Sequence, residues 1–118
     1  MPSLSTHVLD LYHGKPAATV KIELYFKTEY TDWKLLRTIT TNADGRTDEK
    51  LLTDETWQPG TYELLFYIGD YFKALQVPLS DPPFLTSIPV RFSMQQDAGH
   101  YHVPLLVSPW GYQVYRGS

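Results

Sequence analysis

A chain of 118 residues, 42 % hydrophobic and 19 % charged, has the size and composition of one folded domain spanning residues 1–118, and this excludes a disordered polypeptide. A formal net charge of −3, with no Lys/Arg cluster interleaved with aromatics, argues against a nucleic-acid partner. There is no cysteine for disulfides or thiolate chemistry, and no apolar run approaches the ~20 residues needed to span a membrane.

The first residues, Met1 to His7, lack a basic segment followed by an apolar one, so no signal peptide is expected and the chain reads as cytoplasmic. Residues 4–10 form a short strand candidate containing His7, and His13-Gly14-Lys15-Pro16 marks a turn. Val20, Ile22, Leu24 and Phe26 then alternate with Lys21, Glu23, Tyr25 and Lys27, the period of a strand with one buried face. Residues 33–40 are another short strand candidate. Asn42-Ala43-Asp44-Gly45 and Gln58-Pro59-Gly60 supply turn chemistry before a second alternating run, Tyr62, Leu64, Phe66 and Ile68. Residues 69–75 lose the alternation and read as a short helix, and Asp81-Pro82-Pro83 stops regular structure. Ile88, Val90, Phe92 and Met94 alternate next, followed by Tyr101, Val103, Leu105 and Val107. After Ser108-Pro109-Trp110-Gly111, residues 112–117 continue a strand pattern to the end. Short strands at this spacing, broken by turns, indicate an all-β sandwich or barrel.

The histidines are few enough to weigh singly. His13 sits in a turn and reads as solvated. His100 and His102 share a strand face, because side chains at i and i+2 point the same way. Zinc would need a third ligand there, and only Asp97 is near in sequence, so no metal is expected. No serine elbow and no phosphate-cradling glycine loop occurs. Arg46 follows the Asn42–Gly45 turn, where it is either a solvated arginine or a planar clamp for an anion. The terminal Tyr115-Arg116-Gly117-Ser118 extends a strand pattern where most termini fray. The residues alone reach a β-sandwich with scattered His and Arg, and they name no substrate.

Three segments carry a resemblance. Leu4-Ser5-Thr6-His7-Val8-Leu9-Asp10 with Gly14-Lys15-Pro16, Thr41-Asn42-Ala43-Asp44-Gly45-Arg46, and Tyr101-His102-Val103-Pro104-Leu105-Leu106 with the terminal Tyr-Arg-Gly-Ser resemble the signatures of the 5-hydroxyisourate hydrolases, in order and across nearly the whole chain. The resemblance implies a transthyretin-like (prealbumin) sandwich of two sheets and about eight strands with one short helix. It implies a homotetramer, a dimer of dimers, with active sites in the channel between dimers. The implied reaction is hydrolysis of 5-hydroxyisourate to 2-oxo-4-hydroxy-4-carboxy-5-ureidoimidazoline in urate degradation, with no cofactor and no metal. Carried over by motif, His7, Arg46 and His102 are catalytic, and His7, Arg46, Tyr115, Arg116, Gly117 and Ser118 contact the substrate. The sequence ranks neither the two histidines as water-activating base nor Arg46 and Arg116 as stabiliser of the developing charge. A transthyretin-like carrier would share the fold, but its apolar channel is a costly place for His7, His102 and a polar terminus.

Overall fold

The computed structural model describes residues 2–97 and 99–117. Among them run β1 (Ser3–Asp10), β2 (Lys15–Pro16), β3 (Lys21–Lys27), β4 (Lys34–Thr40), β5 (Thr61–Phe66), α1 (Ile68–Ala74), β6 (Ile88–Ser93), β7 (His100–Ser108) and β8 (Gly111–Val114). The strands form two four-stranded sheets, β2-β1-β7-β8 and β4-β3-β5-β6.

The alternating runs turn their apolar members into the space between the sheets. Ile22 and Leu24 of β3, Tyr62, Leu64 and Phe66 of β5, and Leu105 and Val107 of β7 have essentially no exposure. They meet Leu4 and Val8 of β1 in one core cluster. Burying an aliphatic side chain of this size stabilises by about 1.5–3 kcal/mol, against the entropy of ordering it. Thr6 is also buried, and its hydroxyl donates to the Val103 carbonyl at 2.7 Å, so the polar group is paired.

Strand β1 runs parallel to β7, with Ser3 opposite His100, Ser5 opposite His102 and His7 opposite Pro104. The side chains of Leu4, Thr6, Val8 and Asp10 point to the core, so Ser5, His7 and Leu9 emerge on the outer face of the sheet. On β7 the same rule brings His102 outward between buried Tyr101 and Val103.

Three boundaries differ from the sequence reading. Lys15–Pro16, expected as part of a turn, pairs with Leu9 and Asp10 as a two-residue strand. The helix begins at Ile68, which is fully buried. Gly69 follows because a Cβ there would stand 2.8 Å from the Leu85 carbonyl oxygen, so only glycine lets the helix start against that backbone. The last strand stops at Val114 rather than running to residue 117. The Leu105–Val114 register, carried on, sets Pro104 opposite Tyr115 and His102 opposite Gly117. Proline has no amide hydrogen to offer across that rung, so the ladder lapses. It is recovered at an isolated bridge between His102 and Gly117.

Candidate active site

The outer face of the β1–β7 pair gathers most of the polar chemistry. His7 sits on β1 two residues from Ser5, and its Nε2 lies 2.8 Å from the Asp44 carbonyl oxygen. A carbonyl only accepts, so Nε2 carries the hydrogen and the neutral ring keeps its lone pair on Nδ1. His102 is held from the other end: its Nδ1 lies 2.8 Å from the Ser5 hydroxyl, leaving Nε2 uncommitted among the described residues. The two imidazoles therefore offer opposite nitrogens.

Arg46 reaches this face through a tightly tied turn. The Asn42 side-chain oxygen accepts from the amides of Asp44 (2.9 Å) and Arg46 (3.2 Å), and the Asn42 amide donates to the Arg46 carbonyl at 2.7 Å. Gly45 adopts φ +74° in that turn, and a Cβ there would stand 2.4 Å from the Val8 carbonyl oxygen. Its own carbonyl accepts from the Val8 amide at 2.8 Å, docking the turn on β1 beyond the short β2. The close approach and the left-handed backbone both require glycine. Ser5, Thr6, Arg46, Asp48, Glu49 and Lys50 line a cavity of about 170 Å³ between β1 and the segment after the turn.

Burial, followed by the charges of Arg46, His100 and His7, lowers the pKa of His102 below the ordinary imidazole value. His100 is lowered by burial and then by Lys50. A basic surround of this kind keeps an imidazole neutral at physiological pH, the form that accepts a proton.

The terminal residues divide. Gly117 donates its amide to the His102 carbonyl at 2.6 Å and lies against the imidazole edge. The Arg116 guanidinium stacks on the ring of Tyr101, 3.9 Å from its centroid. Tyr115 is exposed, and with Arg116 it borders an apolar groove lined by Val90, Phe92, Val103 and Val114. Ser118 lies outside the described residues. The structure thus brings His7, Arg46, His102 and Gly117 to one region and sets Tyr115 and Arg116 over the neighbouring edge of the sandwich.

Two features lay outside the sequence reading. Ser5, which carries no motif of its own, hydrogen-bonds both His100 and His102 at 2.8 Å. The signal was its i−2 spacing from His7, which needs the β1–β7 register to become meaningful. His13 is not merely solvated: its Nδ1 meets the buried Asp10 carboxylate at 2.5 Å. Among the described residues no three His, Cys, Asp or Glu side chains converge as a metal site.

An all-β sandwich with paired imidazoles and an arginine turn on one sheet face has the architecture of a transthyretin-like protein fitted for proton transfer. A model described as the HIUase/Transthyretin family matches residues 4–117, and the chain belongs to that family. It is 50 % identical over 98 % of its length to 5-hydroxyisourate hydrolase 2 of Rhizobium meliloti (strain 1021), covering 95 % of that protein. The structure of Klebsiella pneumoniae 5-hydroxyisourate hydrolase superposes with a TM-score of 0.81 at 30 % identity, over the full length of both chains. A crystal structure of (S)-allantoin synthase superposes with a TM-score of 0.92 at 39 % identity over 99 % of this chain, which spans 44 % of that longer protein.

Proposed function

We propose that this chain hydrolyses 5-hydroxyisourate to 2-oxo-4-hydroxy-4-carboxy-5-ureidoimidazoline, a ring-opening step of urate degradation. The observation that carries the reading is the 50 % identity, over 98 % of the chain, to a protein named for that hydrolysis. The placement of His7, Arg46 and His102 on one face supports it chemically.

Ring opening needs a water oxygen to attack a lactam-type carbonyl carbon while the water gives up a proton. The free Nε2 of His102 accepts that proton, and His7 holds the water through its free Nδ1. Negative charge builds on the carbonyl oxygen, facing the Arg46 guanidinium. Arg46 is favoured over Arg116 for this task because its charge acts on His102, whereas Arg116 is stacked on Tyr101. The C–N bond then breaks, the imidazolium proton passes to the leaving nitrogen, and the carboxyl group formed gives its remaining proton to solvent, leaving a carboxylate on the opened ring. Gly117 lies at the pocket beside His102, and in this reading substrate contact by Tyr115, Arg116 and Ser118 rests on the terminal motif they share with the hydrolases. No cofactor or metal enters the sequence of steps.

The working form in this reading is a homotetramer, a dimer of dimers, with the sites in the channel between dimers. The open sheet edges at β6 and β8 and the exposed Trp110, Tyr112 and Tyr115 near β8 support further association. The test is spectrophotometric: the purified protein must accelerate loss of freshly generated 5-hydroxyisourate well above the spontaneous rate, with light scattering giving about four chain masses. A spontaneous rate unchanged by the protein overturns the assignment, and a fully active monomer overturns the shared channel.

A further inference from the structure

We propose that Ser5 and His100 form a proton relay with His102, carrying charge from the reacting imidazole to the sheet surface. The proposal rests on the hydrolytic reading of His102, and its geometry stands by itself. The Ser5 hydroxyl lies 2.8 Å from His102 Nδ1 and 2.8 Å from His100 Nε2. Beyond it, His100 Nδ1 meets the Ser3 hydroxyl at 2.5 Å. The parallel pairing of Ser3 with His100 and Ser5 with His102 lines these groups up on the outer face of the sheet. The two imidazoles lie with ring centroids 6.4 Å apart and planes 21° from parallel.

A hydroxyl has one hydrogen, so Ser5 donates to one imidazole and accepts from the other. The row therefore has two polarities. In the first, His102 Nδ1–H donates to Ser5, Ser5 donates to His100 Nε2, and His100 Nδ1–H donates to Ser3. His102 Nε2 is then a free base. In the second, every hydrogen bond is reversed, and His102 carries its hydrogen on Nε2 as an acid. When His102 Nε2 takes a proton, its Nδ1–H bond breaks toward Ser5 as the Ser5 O–H bond breaks toward His100 Nε2. One proton has entered and the positive charge now rests on His100. His102 is left neutral with a hydrogen on Nε2 while the charge rests on His100. The proton then returns from His100 through Ser5 to His102 Nδ1, restoring the imidazolium, and its Nε2 proton passes to the departing nitrogen.

The surroundings give the transfer a direction. His100 is exposed and His102 half-buried, so solvent stabilises the cation better at His100. His7 from β1 and Arg46 from the turn repel a charge on His102, and Lys50 repels one on His100. Asp48 and Glu49 border the same cavity as Ser5. His100 and Ser5 are positioning residues here, acting through His102 and not on the substrate.

The experiment compares the full chain with Ser5→Ala, Ser5→Thr and His100→Gln, checked for native circular dichroism and mass. Turnover of 5-hydroxyisourate is measured across mixtures of light and heavy water. Ser5→Ala and His100→Gln are expected to lower kcat at least about tenfold with KM within about twofold, and to reduce a curved proton inventory to a single-proton line. Ser5→Thr keeps the hydroxyl and is expected to keep most of the rate. Wild-type kcat and inventory in His100→Gln, or equal damage from Ser5→Thr and Ser5→Ala, overturns the relay. Imidazole nitrogen NMR reads the row without any substrate. His100 and His102 are expected to titrate as a coupled pair that Ser5→Ala uncouples, and independent titration in the wild-type chain overturns the relay even if the substrate assignment itself fails.

Discussion

The Gly117 amide donates to the His102 carbonyl, and a Cβ on Gly117 would stand 3.0 Å from Cδ2 of the same imidazole. The constraint is space, since the residue is not in the left-handed region. Gly117→Ala should push the ring by a fraction of an ångström and lower kcat about 10- to 100-fold, the sensitivity of a reacting group to misplacement. The sandwich should remain folded by circular dichroism. An uncleaved C-terminal tag, one residue further on, should reduce turnover more than the same tag at the N-terminus. Full activity in the C-terminally tagged protein would remove the tail from the site.

His7→Asn and His102→Asn should each lower turnover by at least ~10²-fold, the scale of lost acid–base catalysis. Asparagine keeps hydrogen-bonding groups near the partners of each ring, Asp44 and Ser5, so folding should hold. A double variant no slower than the worse single one would show the pair acting as a unit. Near-normal turnover in both single variants would place the base elsewhere.

The pH profile follows from the lowered pKa of His102, caused by burial first and then by Arg46, His100 and His7. The base works when neutral, so the acid limb of kcat/KM should lie below the ordinary imidazole value of about 6.5. Arg46→Gln removes a positive charge beside the ring. His102 then binds its proton more readily, and the acid limb should move up toward neutrality, whatever happens to the plateau rate. A limb that stays put or moves down would show that Arg46 does not act on His102. The lowered value also ties stability to pH: the folded form resists protonation, so this contribution is lost as the pH falls from 6.5 toward the folded value.

Asp10 is a separate test of the scaffold. It is 1 % exposed and accepts from the His13 amide at 2.9 Å, the His13 ring at 2.5 Å and the Tyr71 hydroxyl at 2.7 Å. Burial alone would raise its pKa, but these hydrogen bonds and the His13 charge outweigh it and hold the carboxyl below 3.8. Asp10→Ala should destabilise by about 3–5 kcal/mol, because it orphans several groups at once. Tyr71→Phe should cost about 1–3 kcal/mol. Urea unfolding at neutral pH measures both. The carboxylate's contribution should disappear as the pH falls through 3.8 toward the lower folded value. A loss under about 0.5 kcal/mol for Asp10→Ala, typical of a surface change, would refute the lock.

The strands were legible in the chain because burying one face of a strand imposes a period of two on neighbouring residues. Val20 to Phe26, Tyr62 to Ile68 and Tyr101 to Val107 show it without any tertiary information. Turn residues marked most breaks between them, and the loss of alternation after Ile68 marked the helix. His7, Arg46 and His102 were singled out by the motifs of the resemblance, whereas residue type alone left them as scattered groups in a sandwich. What the chain could not disclose was register, a contact between segments about a hundred residues apart. Only the parallel β1–β7 pairing puts Ser5 opposite His102 and brings a hydroxyl between two imidazoles. Only the β7–β8 register sets Pro104 where the ladder needs a donor, so that β8 ends early and the chain returns to meet His102 through Gly117. Asp10 shows the same division. Its sequence reads as a strand end, yet one of the hydrogen bonds that hold its buried carboxylate comes from Tyr71, on a helix sixty-one residues away. Periodicity is a local property of the backbone, whereas hydrogen-bond partners and desolvation belong to the assembled sheets.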